Sequence, residues 1–281
     1  MDEITAGAVW RSLPRRDPAG HKGMFGKVMC LCGCVGFTGA PVLAARAATR
    51  TGCGLVSLAV PNTIYPIVAQ KCLEEMPFPL PSDYKSLRNR AVACDAVLVG
   101  PGLGLSSRAH RLVLGLAEDL EGTLVLDADG INALEKHMDT LERRRGRVTI
   151  LTPHDGEFAR IGGDLSGGDR LEAARHFAQR YGCILVLKGH RAIVANPEGR
   201  CYVNTNGNSG MAKGGSGDVL TGMLAGMVRT AHEPARVCEL HGMAGVLAEE
   251  KYGNACMTSR DLLEMLPEAF RRLAARREEQ P

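Results

Sequence analysis

The chain has 281 residues, 45% of them hydrophobic, with 34 basic against 31 acidic side chains and a net charge of +3. This length supports a sizeable buried core, and so small a basic excess, without an extended Lys/Arg block, excludes a nucleic-acid-binding footprint. Glycine is over-represented at 34 residues; the long apolar runs exclude a disordered chain and the missing Gly-X-Y period excludes collagen, so these glycines must serve particular backbone positions.

Residues 1–22 are polar and proline-punctuated, with a short helix predicted near Thr5–Leu13. A strand is expected at Lys27–Leu31, a glycine-rich turn at Gly33–Gly39, and an alanine-rich helix at Ala40–Thr51. A strand at Leu55–Val60 and a helix at Ile64–Lys71 follow, and Pro77, Pro79 and Pro81 mark a loop. Asp95–Val99 reads as a buried strand, Gly100–Gly104 as a turn, and Ser107–Leu120 as an amphipathic helix. Further strands are expected at Thr123–Leu126, Val148–Leu151 and Cys183–Leu187, with helices at Ile131–His137 and Asp169–Tyr181. Segments 192–195 and 201–204 flank Pro197-Glu198-Gly199 as a β-hairpin. After a glycine-rich loop over Asn206–Gly217, helices are predicted at Val219–Arg229, Pro234–Glu250 and Ser259–Ala275. Short apolar strands alternating with helices indicate an α/β fold, with a mostly parallel sheet covered on both faces. No linker or repeat is seen, so one domain is expected over residues 1–281, with its core at about 21–275.

The ten cysteines show no CxxC pair and no metal-ligand spacing. They read as small apolar fillers in a reducing compartment. No signal-peptide h-region and no membrane-length apolar run are present, so a cytoplasmic protein without membrane contact is expected. Arg143-Arg144-Arg145 and the Arg271–Arg277 stretch read as solvated helix ends or tails.

The segment Asn206–Asp218 carries the strongest chemical signal. Glycines free the backbone N–H groups, and the following helix dipole favours an anion, so phosphate is the natural occupant of Gly215, Ser216 and Gly217. The P-loop pattern is missing. Asp218 has two readings: a base near a transferred phosphoryl group, or a helix cap. Leu151–Glu157 lies at a strand's carboxyl end. There His154 is a candidate ligand contact and Glu157 a candidate holder of Mg²⁺ through water, and an ordinary helix start would use the same residues. Asp127 and Asp129 put two carboxylates at i and i+2, with Asp129 a possible cap and Asn132 placed to face the site. Lys188 is a candidate phosphate partner or a snorkelling surface lysine. His241, Gly242 and Gly245 suit helix packing better than chemistry.

Together these residues make the chain resemble the NAD(P)H-hydrate dehydratases of the ribokinase-like superfamily. The matching pieces run in family order: His21-Lys22-Gly23 with Gly26-Lys27-Val28, Thr38-Gly39-Ala40, Gly100–Gly104, Leu126–Asp129, Leu151–Glu157, Leu187-Lys188-Gly189 and Gly207–Gly222. They span about residues 21–266, and the pairing of the Pro153–Glu157 stretch with Met211–Asp218 is highly specific. The resemblance implies a ribokinase-like three-layer α/β/α sandwich with a small β-hairpin near 191–204. It also implies repair of the S form of hydrated NADH or NADPH. ADP or ATP, with Mg²⁺, phosphorylates the ring hydroxyl, and phosphate loss restores the cofactor.

Carried over by position, Asp218 is the catalytic residue, and Ala40, Gly104, His154 and Asp218 contact the hydrated cofactor. Lys188, Gly189, His190, Arg191, Ala192 and Gly217 contact the adenine nucleotide. Glu157 and Asn132 are the weaker assignments, to metal and phosphate positioning. Family members are often tetramers, so a homo-oligomer is expected, and the small residues around Ala225, Gly226, Ala244 and Gly245 are candidates for its packing. About 20 residues precede the match, so a fused epimerase domain is not expected and a separate epimerase is the expected partner. With no targeting segment, this leans toward a bacterial enzyme using ADP. The sequence departs from the commonest pattern at Asp155 (often proline), at Lys213 (often threonine) and at His190-Arg191-Ala192, and Lys213 is expected to add positive charge beside the anion loop. The alternatives are a small-molecule kinase for a hydroxymethyl vitamin precursor and a non-catalytic nucleotide binder, against which a carboxylate beside phosphate argues.

Overall fold

The computed structural model describes residues 17–227 and 234–275, so the helix expected near Thr5–Leu13 lies outside the described residues. Among the described residues the short apolar runs form nine strands: β1 (Lys27–Leu31), β2 (Leu55–Val60), β3 (Met76–Pro79), β4 (Ala96–Val99), β5 (Thr123–Leu126), β6 (Thr149–Leu151), β7 (Ile184–Leu187), β8 (Ile193–Ala195) and β9 (Cys201–Val203). They join one sheet in the order β3-β2-β1-β4-β5-β6-β7-β8-β9. Strands β1 to β7 run parallel, and β8 and β9 return antiparallel as the expected hairpin.

Successive side chains of a strand enter opposite faces. In β1, Val28 and Cys30 pack on one side, while Met29 and Leu31 pack on the other. The first face is covered by α1 (Gly39–Arg50) and α2 (Tyr65–Ala69), together with three late helices described below. The second is covered by α3 (Tyr84–Ala91), α4 (Ser107–Asp119), α5 (Asp129–Asn132), α6 (Asp139–Arg143), α7 (Asp155–Arg160) and α8 (Arg170–Tyr181). The late helices are α9 (Ser216–Gly226), α10 (Pro234–Tyr252) and α11 (Ser259–Ala275). A parallel sheet buried on both faces explains why its strands read as continuous apolar runs. No helix among the described residues is long and apolar enough to cross a membrane.

Several expectations are corrected. The proline segment is a strand. Leu80 N–H donates to Val60 carbonyl at 2.8 Å, so the alternate positions Pro77 and Pro79 face the open edge, where no N–H is needed. Helix α3 was not expected; Asp83 caps it by accepting from Ser86 N–H at 2.8 Å. The helix predicted at Ile131–His137 is only the single turn α5, and Lys136 beyond it takes a left-handed φ of 65°. Arg144 is no solvated helix end: it is 1% exposed. Its guanidinium donates to the carbonyls of Ala117, Leu120 and Gly122 and to Thr149 Oγ1, stitching α4 to the start of β6.

The small residues proposed for oligomer packing are used within the chain. A Cβ on Gly226 would sit 2.6 Å from Ala48 carbonyl oxygen, and one on Gly245 would sit 2.2 Å from Met211 Sδ. The contact of α1 with α9 is closer still, since a Cβ on Gly222 would lie 2.0 Å from Ala44 carbonyl oxygen. Backbone cannot yield there as a flexible side chain could. Gly222→Ala is therefore expected to destabilise the fold by about 1–3 kcal/mol, seen as a lower urea midpoint at unchanged slope. A wild-type midpoint would show that the two helices do not meet this closely.

Candidate active site

Strand β1 lies between β2 and β4, so the chain leaves it toward one edge and later returns to its other side. That reversal opens a crevice at the carboxyl ends of the strands, the usual ligand position in such sheets. The loops after β1 and β4 meet there, with Gly33 N–H donating to Pro101 carbonyl at 2.9 Å. Ala40 Cβ lies 3.2 Å from where a Gly102 Cβ would stand, and Gly104 N–H donates to Asp129 Oδ2 at 2.7 Å.

Beyond these loops, the ends of β5, β6 and β7 supply a polar cluster. Asp127, directly after β5, has a side chain only 2% exposed and is 2.6 Å from Lys188 Nζ. Thr152 Oγ1, after β6, donates to the same Asp127 Oδ1 at 2.8 Å. Lys188 Nζ also lies 3.8 Å from Glu157 Oε2. Burial pulls the Lys188 ammonium down, but Asp127, Glu157 and Asp218 outweigh it, and the net shift is upward. Lys188 is thus a partly buried, firmly charged group rather than a snorkelling surface lysine.

His154 and Glu157 are both tied into the start of α7. His154 Nδ1 accepts from Gly156 and Glu157 N–H at 3.0 and 3.3 Å, while Glu157 Oε2 accepts from His154 N–H at 2.9 Å, a reciprocal capping box. With Nδ1 accepting, the ring proton sits on Nε2, on a side chain that is 60% exposed. The cap orients the imidazole, with Nε2 3.5 Å from Glu157 Oε1. Asn132 is committed otherwise: its amide donates to Asp129 Oδ1 at 3.2 Å and its oxygen accepts from Arg160.

The glycine loop delivers the start of α9 onto this cluster. Gly215 is the cap, at φ 96° with no side-chain cap bond, so Asp218 is not the capping residue. Asp218 stands in the first turn, as the third helical residue. Val219 N–H donates to Gly215 carbonyl and Ser216 N–H turns back toward Lys213 carbonyl at 3.3 Å. The amides of Gly217 and Asp218 fall among the orphan donors of a helix start. A Cβ on Gly217 would lie 3.5 Å from Lys188 Nζ and 3.8 Å from Asp127 Oδ2, so the helix end, the ammonium and the buried carboxylate share one small volume. Burial pushes the Asp218 carboxyl up to about 6, helped by the Asp127 charge and opposed by Lys188. Beside it, Cys32 is held neutral: burial, Cys30 and the Asp218 and Asp127 charges all raise its thiol.

The Lys213 ammonium is held by carbonyls of the segment before α11. Its Nζ donates to the carbonyls of Ala255 and Met257 at 2.7 and 2.5 Å. His190 and Arg191 are exposed, on the loop between β7 and β8. Sequence reasoning noticed Asp127 only as half of a carboxylate pair and passed over Thr152. A carboxylate immediately after an apolar strand run was the signal for Asp127. Among the described residues, no group of three or more His, Cys, Asp or Glu side chains converges as a metal cage.

A family model described as NAD(P)H-hydrate dehydratase matches residues 28–268. The chain is 39% identical over 286 residues to the bifunctional NAD(P)H-hydrate repair enzyme of Moorella thermoacetica, covering 96% of this chain and 54% of that protein. It therefore spans about half the length of that curated relative. It is 36% identical over 244 residues to the ADP-dependent (S)-NAD(P)H-hydrate dehydratase of Neisseria meningitidis, covering 84% of this chain and 81% of that one. The ADP/ATP-dependent NAD(P)H-hydrate dehydratase of Bacillus subtilis, co-crystallised with ATP and Mg²⁺, superposes with a TM-score of 0.82 at 28% identity, over 96% of this chain and 98% of that one. The sandwich is ribokinase-like.

The raised Asp218 carboxyl has a stability consequence. Its folded value of about 6 lies above the ordinary 3.8, so between these the folded state holds the extra proton. Stability from this group is present below about pH 4 and is lost as pH rises through about 6, at most about 2–3 kcal/mol. Asp218→Asn is expected to stabilise the protein at pH 8 and to leave it unchanged at pH 4, by chemical denaturation at both. An equal effect at the two pH values would remove the ionisation argument.

Proposed function

The chain belongs to the NAD(P)H-hydrate dehydratase family, and we propose that it acts as a hydro-lyase restoring NADH and NADPH from their S-form hydrates in a reaction driven by ADP or ATP. The observation that carries this reading is the meeting of the α9 start, Lys188 and the raised Asp218 carboxyl in one volume.

The ring hydroxyl of the hydrated cofactor attacks the terminal phosphorus of the nucleotide. Its proton passes to Asp218, and the bond from that phosphorus to the nucleotide's bridging oxygen breaks. The carbon–oxygen bond of the phosphorylated ring then breaks. Inorganic phosphate leaves with the bonding pair, and loss of a ring proton restores the double bond. A carboxylate titrating near neutrality suits the first step, because it is ionised enough to accept and basic enough to hold the proton. The Gly217 and Asp218 amides, on the Gly215-Ser216-Gly217 turn, face the charge that develops on the transferred group. Lys188 offsets that charge and pairs with Asp127. Ala40, Gly104 and the Nε2–H of His154 are assigned to the hydrated cofactor, and Gly189, His190, Arg191 and Ala192 with Lys188 and Gly217 to the nucleotide.

Mg²⁺ fits this donor set. It keeps several waters and takes one or two carboxylates plus substrate phosphates, so it does not need a protein cage. Glu157 would hold it through water by Oε1, since Oε2 is committed to the helix cap. When bound, the ion would neutralise nucleotide phosphate charge. The reading extends to a single catalytic domain over about residues 21–275, to a cytoplasmic homo-oligomer, and to cooperation with an epimerase. The bifunctional relative supports a second linked activity.

Incubation of the protein with hydrated NADH, Mg²⁺ and either ADP or ATP is expected to regenerate the near-ultraviolet absorbance of the reduced ring, with release of inorganic phosphate. Phosphorylated hydrate accumulating without NADH would indicate a kinase, and no reaction with either nucleotide would end the proposal. Asp218→Asn is expected to lower kcat roughly 10²–10⁴-fold, and a near-normal rate would deny the carboxylate its role as base.

A further inference from the structure

Arg170 is placed where a cation is unwelcome. It opens α8, directly after the capping Asp169, and a helix start repels positive charge. Its side chain is 29% exposed, and its Nε is buried with no hydrogen-bond partner. Three acceptors hold it there. Its Nη2 lies 2.6 Å from Asp155 Oδ1 and donates to Lys188 carbonyl at 3.0 Å, and its Nη1 reaches His190 carbonyl at 3.4 Å. Asp155 and His190-Arg191-Ala192, two places where the sequence departs from the commonest family pattern, therefore meet on this one guanidinium.

The contact fixes the direction of two peptide groups. A peptide is planar and trans, so its C=O and N–H point opposite ways. With the Lys188 and His190 carbonyls turned onto Arg170, the Gly189 and Arg191 amides are turned away from it. Neither amide has a protein partner among the described residues. The loop backbone is shaped for this: Gly189 has φ 143°, and Arg191 has φ 57°, a conformation disfavoured for a residue with a side chain. A Cβ on Gly189 would stand 3.0 Å from the guanidinium nitrogen, so glycine lets the backbone wrap the cation closely. The Lys188 side chain, on the same turn, points into the Asp127 cluster.

We propose that Arg170 is a positioning residue for the adenine nucleotide. Anchored by Asp155, it orients the 188–191 turn so that the Gly189 and Arg191 amides donate to the nucleotide's anionic groups. This rests on the nucleotide-dependent reading above and adds a residue outside the carried-over set. Arg170 itself need not touch the ligand.

Calorimetric titration with ADP alone, and separately with ATP alone, tests this without turnover. Arg170→Ala is expected to weaken nucleotide binding roughly tenfold or more, while KM for hydrated NADH stays within about twofold. Arg170→Lys should recover part of the loss. Asp155→Ala should weaken binding in the native background and add little to Arg170→Ala. On ADP addition, the Gly189 and Arg191 amide resonances should shift in the wild type and much less in the Arg170→Ala protein, a response that a merely stabilising residue would not give. Wild-type nucleotide affinity in the Arg170→Ala variant would overturn the inference, as would an equal loss of affinity for ADP and for hydrated NADH. A wild-type protein that binds neither ADP nor ATP would instead overturn the functional reading on which the inference rests.

Discussion

The candidate site depends on one buried ion pair, Lys188 with Asp127 at 2.6 Å. Burying a carboxylate costs several kcal/mol unless a counter-charge and hydrogen bonds offset it, and here Lys188 and Thr152 do both. The pair sets the character of everything nearby. The Lys188 ammonium faces Asp127, Glu157 and Asp218, and their combined charge keeps it protonated against its own burial. The same excess of carboxylates leaves Asp218 the least stabilised of the three by Lys188, and burial with the Asp127 charge pushes it up to about 6. The arrangement therefore separates roles by environment. Asp127 is clamped by Lys188 and Thr152, whereas the Asp218 carboxyl, raised by burial, suits the proton-accepting role proposed for it.

The Asp127 side of the pair sits where two loops cross at very short range. A Cβ on Gly100 would meet Asp127 carbonyl oxygen at 1.9 Å, and one on Gly130 would meet Val99 carbonyl oxygen at 2.4 Å, so the ends of β4 and β5 touch backbone to backbone. Between them Ala128 takes φ 48° and ψ −115°, a conformation that costs a side chain of this kind about 1–3 kcal/mol. That turn sends successive carboxylates opposite ways. Asp127 goes inward to Lys188, and Asp129 goes to the Gly104 amide and Asn132. A strained alanine between the two carboxylates is the local price of aiming both from one short connection.

The elements with continuous apolar runs were legible in the sequence, because a parallel strand buried on both faces leaves that mark. The hairpin and the glycine loop before Asp218 were legible for a similar reason: turn residues and glycines report backbone geometry directly. What stayed hidden was context. Pro77 and Pro79 read as a loop, because only the sheet order reveals that their missing N–H groups face an edge. Arg144 sat inside a charge run and looked solvated, yet the carbonyl oxygens of Ala117, Leu120 and Gly122, more than 20 positions back, receive its guanidinium. The reading of Asp218 as a cap failed by position, since Gly215 at φ 96° takes that place. Asp127 looked like any turn carboxylate, because its partner lies 61 positions away and no local pattern can announce a pair at that separation.

The glycine excess divides into two physical uses. At Gly189, Gly215 and Gly217 the missing Cβ exposes backbone or clears space beside charged groups, as a ligand-facing loop requires. At Gly222 and Gly226 it lets α9 press onto Ala44 and Ala48 of α1, with no loop or ligand involved. The second use serves the first. Helix α9 carries Asp218 in its first turn, and its distance from Lys188 is set by how far α9 slides into the sandwich before it meets α1. The cap itself shares this constraint, since a Cβ on Gly215 would strike Leu43 of α1 at 2.6 Å. Glycines buried between helices thus fix the same few ångströms that the loop glycines leave open beside Lys188, and a single added methyl group in the helix interface would displace Asp218 as surely as one in the loop.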